Sequence, residues 1–223
     1  MPPAIRERFD ALVPRLIEAA AETANPDATL ARGLDLLEAI SRRAAYLALL
    51  QQYPQALQRV AQLVSASSWA ASYLTRHPVL LDELLDARLL EAAPDWAAFR
   101  AQLARELDEH EPDTERQMDV MREAHHAQVF RLLAQDLGGM LALEKLSDHL
   151  SELADIMLDL ALRLVWRKLL KRHREEPQFA VVAYGKLGGK ELGYASDLDL
   201  IFLYDDAHPD APEPYSSLAR RLV

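Results

Sequence analysis

The stretch Val182-Ala183-Tyr184-Gly185-Lys186-Leu187-Gly188-Gly189-Lys190-Glu191-Leu192-Gly193-Tyr194-Ala195-Ser196-Asp197-Leu198-Asp199-Leu200-Ile201-Phe202 decides how the chain is read. It lies inside two β-rich runs, Phe179–Tyr184 and Asp197–Tyr204. Each is short, apolar and rich in branched or aromatic side chains, the composition of a strand. The twelve residues between them hold Gly185, Gly188, Gly189 and Gly193, four of the seven glycines in the chain. The rest is almost glycine-free. Two regimes follow: a long helical part, then a short strand–loop–strand part of different architecture.

The same stretch carries the chemistry. Asp197 and Asp199 stand two apart on the expected strand, so both carboxylates point to one face, about 7 Å apart at Cα. Such a pair is a ligand set for Mg²⁺, a hard cation that takes oxygen donors and bridges to phosphates. Leu198, Leu200, Ile201, Phe202 and Leu203 imply a buried strand, where two acids are costly unless paired or metal-bound. Glycines after a strand let the backbone approach a polyphosphate closely, and Lys186 and Lys190 bring positive charge. The spacing is neither a Walker loop nor G-x-G-x-x-G. A D-x-D alone reads more readily as structure, and a glycine cluster alone as a turn. Strand, glycine loop, Ser196 and D-x-D in that order form a far more specific pattern.

Working back toward the start, apolar residues recur at helical spacing. Asn25-Pro26-Asp27 starts a helix with the stripe Leu30, Leu34, Leu37, Ile40, Ala44 and Leu47. Pro54 opens another with Leu57, Val60, Ala61 and Val64, and Ser67 or Ser68 caps the next, which stops before His77-Pro78. Pro14, like Pro26 and Pro54, is expected in a first helical turn. Helices are expected over Trp96–Leu107, Thr114–Leu137 and Ser216–Val223. The longest runs from Leu143 to Arg174, roughly 45 Å at 1.5 Å per residue. Acids crowd Glu106–Asp119, read as a solvated helix end or as a docking surface for a basic partner. Arg163, Arg167, Lys168, Lys171, Arg172, His173 and Arg174 read as a favourable helix C-terminus or as cations near a phosphate site. The adjacent His125 and His126 point about 100° apart on a helix and cannot share a metal. Asp205-Asp206 after the second strand read as a loop cap rather than as a third metal ligand.

Composition excludes much else. The chain has 223 residues, half of them apolar, and no cysteine, so disulfide scaffolds, zinc ribbons and thiol nucleophiles are excluded. Lys and Arg number 25 against 35 Asp and Glu, a net charge of -10, which argues against broad nucleic-acid binding. Arg6, Glu7, Arg8 and Asp10 interrupt any signal-peptide run, and no apolar stretch is long enough for a membrane span. The expected compartment is the cytoplasm.

The 182–202 run resembles the active-site signature of the glutamine synthetase adenylyltransferase family, within the polymerase-β-like nucleotidyltransferases. Ser68-Trp69 through Leu85 is similar to that family's inter-domain segment, and Phe130–Leu137 with Ser147–Asp155 to the helices upstream of its second transferase domain. The resemblance implies a mostly α helical bundle followed by the first strands of an incomplete α+β nucleotidyltransferase domain. It implies residues 1–112 as a central helical region, 113–176 as long helices leading into the transferase, and 177–223 as its start. By the same resemblance Asp197 and Asp199 are catalytic and hold Mg²⁺. Gly185, Lys186, Gly188, Gly189 and Ser196 bind ATP, whose AMP passes to a tyrosine hydroxyl of glutamine synthetase. Lys186 stands where the superfamily carries Ser or Gly. PII signal protein and glutamine are the implied effectors. A third acid, on a later strand in the family, is not among the 223 residues, so a fragment with little activity alone is expected. A helical regulatory module and a nucleotidyltransferase with another acceptor are the alternatives.

Overall fold

Prolines and short polar caps punctuate the helices. In the computed structural model, which describes residues 3–85, 90 and 92–222, the helical part runs α1 (Pro3–Ala21), α2 (Pro26–Ile40), α3 (Ala44–Gln52), α4 (Pro54–Ala66) and α5 (Ser68–Arg76). A 3₁₀ segment, Pro78–Leu85, follows, then α6 (Trp96–Glu109), α7 (Thr114–Leu137) and α8 (Leu143–Arg167). The strand–loop–strand part is β1 (Phe179–Tyr184), α9 (Gly185–Gly188) and β2 (Asp199–Tyr204), closed by α10 (Pro212–Leu222). The expected class, mostly α with a first pair of strands, is the one found. The chain divides into two compact units, Met1–Ala93 with Phe130–Leu141, and Pro94–Val129 with Ala142–Val223.

In the first unit, Pro26 and Pro54 occupy first turns as expected, where the missing N–H costs nothing. Pro14 does not: it lies inside α1, so that helix lacks one interior bond. The α2 stripe breaks after Ile40, and its buried face is Thr29, Gly33, Leu36, Leu37 and Ile40. Gly33 is there because a Cβ would stand 2.7 Å from a methyl of Leu16 on α1. On α4 the expected Leu57, Val60, Ala61 and Val64 are all buried. Arg32 Nη1 donates to the Val64 carbonyl at 2.6 Å, satisfying a helix-end acceptor that α4 cannot reach itself. Ser67, not Ser68, caps α5: its hydroxyl accepts from the Ala70 N–H at 3.2 Å. Buried Gln135 donates to the carbonyls of Leu90 and Ala92 at 2.8 and 2.9 Å.

In the second unit, α6 and α7 begin on aspartate caps, Asp95 accepting from Ala98 N–H and Asp113 from Arg116 N–H. Leu103, Leu107, Val120, Ile156 and Leu160 form one apolar cluster. The long helix ends at Arg167, seven residues before the expected Arg174, so it spans about 37 Å. Two contacts stop it. Leu169 turns into a second cluster with Trp166, Ala211, Tyr215 and Leu218, and the Trp166 indole donates to the Glu175 carbonyl at 3.0 Å. Most of the cations beyond Asp159 find partners within the unit. Arg163 pairs with Asp159 at 3.0 Å, Arg167 with Asp108 at 2.9 Å and Lys171 with Glu213 at 2.7 Å. Lys168 donates to Thr114 at 2.7 Å and also to Gln117.

The strands pair antiparallel, Phe179 opposite Tyr204 and Tyr184 opposite Asp199. Two sequence expectations change here. The second strand starts at Asp199 rather than Asp197, and α10 starts at Pro212 rather than Ser216, Val223 lying outside the described residues. The expected burial of the strand also fails on one side: Ile201 is 46% and Leu203 54% exposed. Among the described residues the sheet has two strands, and a helix core covers only one of its faces.

Candidate functional site

Alternation along the paired strands sorts their side chains. Phe179, Val181, Phe202 and Tyr204 share the inner face, while Val182, Tyr184, Asp199, Ile201 and Leu203 share the outer one. The inner face is fixed by Tyr215 of α10. Its ring stacks on Trp166, Phe179 and Tyr204 at centroid distances of 5.2, 5.9 and 4.8 Å. Its hydroxyl accepts from the Gln178 N–H at 2.9 Å and donates to Asp206 at 2.8 Å.

Asp206 is the polar hub of this anchor. Its side chain is 1% exposed, with His173 and Arg174 both at 2.8 Å, and the His208 N–H donates to it at 3.0 Å. Burial alone would raise its carboxyl. The bonds from His208, His173 and Tyr215 and the charge of Arg174 outweigh that and hold it well below the usual carboxylate range. The hub ties the segment after α8 to the loop after β2 and to α10. Asp206 caps the loop at the His208 N–H, and it is also buried. The convergence of His173, Arg174 and Tyr215 on it was not foreseen, because nothing in their spacing signals it.

The glycine loop sits on this anchored ribbon. Gly185, at φ +53, cannot be replaced without strain, and a Cβ there would lie 2.1 Å from Oδ2 of Asp199. The Asp199 carboxylate therefore rests against the bare α-carbon of Gly185. Gly188 is equally constrained, since its Cβ would meet the Ala183 carbonyl at 2.5 Å. Gly189 has an ordinary helical backbone, φ -84, and its N–H donates to the Gly185 carbonyl. Lys190 adopts φ +56, with its N–H on Leu187 and the Glu191 N–H on Lys186. Burial and Glu152 push the carboxyl of Asp155, on α8, upward, and the charge of Lys190 pulls it down.

Before β2 the chain makes a closed turn. The Ser196 N–H donates to the Gly193 carbonyl at 3.1 Å, and the Gly193 N–H to the Ser196 hydroxyl oxygen at 3.0 Å. That turn presents Asp197 just ahead of the strand and Asp199 as its first residue. Both are exposed, and among the described residues neither is bonded or ion-paired to another side chain. The structure thus brings Gly185 directly to Asp199 and leaves both carboxylates open. Beside the loop, Leu143, Glu144, Ser147 and Asp148 of α8 face Gly189–Gly193 across a groove of about 470 Å³. His149 takes no part: its Nδ1 accepts from the Trp96 indole at 3.1 Å. Among the described residues no group of three or more His, Cys, Asp or Glu side chains converges to hold a metal.

Comparison with known proteins gives consistent results. The family model described as glutamate-ammonia ligase adenylyltransferase matches residues 57–222. The bifunctional glutamine synthetase adenylyltransferase/adenylyl-removing enzyme of Aromatoleum aromaticum is 70% identical over 222 residues, covering 100% of this chain and 24% of that protein. Its counterpart in Chromobacterium violaceum is 62% identical over 222 residues, 100% of this chain and 25% of that protein. That of Ralstonia nicotianae is 58% identical over 218 residues, 98% of this chain and 23% of that protein. The chain spans about a quarter of the length of the curated relatives it matches.

Proposed function

We infer the work of this chain from its family, for it belongs to the glutamate-ammonia ligase adenylyltransferases. It forms the part of an adenylyltransferase that grips the nucleotide: ATP is the substrate, and AMP is transferred to a tyrosine hydroxyl of glutamine synthetase. The observation that carries this reading is the pair of open carboxylates, Asp197 and Asp199, the second resting on Gly185 at the mouth of the glycine loop.

The donor set fits Mg²⁺. Two exposed carboxylates offer hard oxygen ligands and would leave the other positions to phosphate oxygens and water. When bound, Mg²⁺ neutralises charge on the attacking and leaving oxygens of the displacement. The chain's own residues do the rest. The short loop of Gly185, Gly188 and Gly189 puts no side chain of its own in the way of a triphosphate, and Lys186 and Lys190 oppose its charge. The Ser196 hydroxyl already accepts from Gly193, so its proton is free to be donated to a phosphate oxygen. Asp197 and Asp199 are the catalytic and metal-holding residues of the proposal. Among the described residues no third acid joins Asp197 and Asp199, and little turnover is proposed for the 223 residues alone. Residues 177–223 serve as the opening of the transferase domain, 113–176 as the helices leading into it, and 1–112 as the central helical region. PII signal protein and glutamine are the effectors proposed for that helical part, and the cytoplasm its compartment. No helix of the described residues is long and apolar enough to cross a membrane.

Calorimetric titration of the chain with ATP in Mg²⁺ tests the reading. Asp197→Asn and Asp199→Asn are each expected to weaken binding at least tenfold with helix content unchanged. Affinity unchanged from the native chain in both variants would refute the assignment.

A further inference from the structure

The β-ribbon carries four aromatic side chains, and three of them are accounted for. Phe179 and Phe202 stack on each other at 5.6 Å, and Phe179 and Tyr204 stack on Tyr215. All three lie on the inner face. Tyr184 lies on the outer one, directly opposite Asp199 in the register, and is 55% exposed. Among the described residues its ring stacks on no other ring and its hydroxyl bonds no other side chain. It also immediately precedes Gly185, the residue on which the Asp199 carboxylate rests.

A cross-strand pair brings Cβ atoms to about 5 Å, so the Tyr184 side chain starts beside the Asp199 carboxylate. Among the described residues no ring stacks on it, and more than half of its surface is open. A nucleotide held by its phosphates at Asp197, Asp199 and the glycine loop would place its base within reach of the ring, and every base offers a π-face for stacking. We propose that Tyr184 is the stacking platform for the nucleobase, so that the outer face binds the two ends of the nucleotide separately: oxygen donors and glycine backbone for the phosphates, an aromatic ring for the base. This rests on the nucleotide reading of Asp197 and Asp199. The neighbouring Ile201 and Leu203 extend the apolar surface along the same face, which suits the edge of a base or ribose better than water.

Titrations of the full 223-residue chain in Mg²⁺ with ATP and, separately, with inorganic tripolyphosphate divide the two contributions. Tyr184→Ala is expected to weaken ATP about tenfold or more while tripolyphosphate affinity stays within twofold, and Tyr184→Phe is expected to restore ATP binding. Should Tyr184→Ala lose the strand signal in circular dichroism, Tyr184→Leu, apolar but ringless, must show the same split. Equal weakening of both ligands, no weakening of either, or failure of Phe to rescue overturns the proposal. If the unmodified chain binds both ligands, Asp199→Asn loses both and Tyr184→Ala changes neither, the stacking role alone fails. If the unmodified chain binds neither ligand, the nucleotide reading fails and the stacking role with it.

Discussion

Gly185 and Asp199 cannot be understood apart. The positive φ of Gly185 and the carboxylate 2.1 Å from where its Cβ would stand mean that a methyl group there must displace Asp199. Gly185→Ala is expected to cost about 1–2 kcal/mol in backbone strain, read by urea unfolding, and to reduce Mg-ATP affinity at least tenfold. Asp206 makes a second residue-level prediction. Burial pushes its carboxyl up, but its hydrogen bonds and Arg174 hold it well below the ordinary aspartate range. The folded state therefore keeps it ionised where the unfolded chain would take up a proton. The stability it contributes is fully present above about pH 4 and is lost as pH falls below that. Asp206→Asn is expected to lower the urea midpoint at pH 7, with the gap to the native chain narrowing between pH 4 and pH 3. A gap that stays constant would show that the hub does not govern acid sensitivity.

Elements were read well where a local signal marks their ends and poorly where a distant contact does. Ser67 before α5 is a local signal, a side-chain oxygen for an orphan N–H. Ser67→Ala is expected to cost about 1 kcal/mol and to speed amide exchange in the first turn of α5, measurable by hydrogen exchange. The limits of α7 and β1 agree with the sequence for the same reason: capping Asp113 and terminal Gly138-Gly139 bound the helix, and Pro177 and Gly185 bound the strand. The end of α8 does not agree. Nothing in Lys168–Arg174 forbids a helix, and the run of cations favours a helix C-terminus. The chain leaves the helix because Leu169 gains burial and Trp166 finds the Glu175 carbonyl, both tertiary effects. The start of β2 shifts because its partner strand runs out: Tyr184, opposite Asp199, is the last residue of β1.

At the scale of the molecule, the second unit hangs its ribbon on one aromatic stack. Trp166 and Tyr215 are each 1% exposed and lie 5.2 Å apart, and Tyr215 in turn carries Phe179 and Tyr204. Trp166→Ala removes the base of that stack and is expected to destabilise the unit by about 3–5 kcal/mol. Amide protection in β1 and β2 should fall with it. Retained protection in both strands would show that the ribbon is held by some other contact. With a single covered face, the ribbon depends on this support, for a two-stranded sheet is marginal by itself.

The sequence by itself determined the mostly helical class, the strand–glycine loop–strand succession and the D-x-D pair, because helical periodicity, strand composition and glycine placement are local and short in range. It also pointed to the family through the 182–202 run. Only the tertiary structure decided which face of the ribbon is open, that Asp199 rests on Gly185, that Asp206 binds His173, Arg174 and Tyr215, and that an exposed Tyr184 lies opposite Asp199. Those facts depend on which of several apolar and charged surfaces meet once the chain collapses. Burial and pairing between residues tens of positions apart settle that, and no local pattern records it.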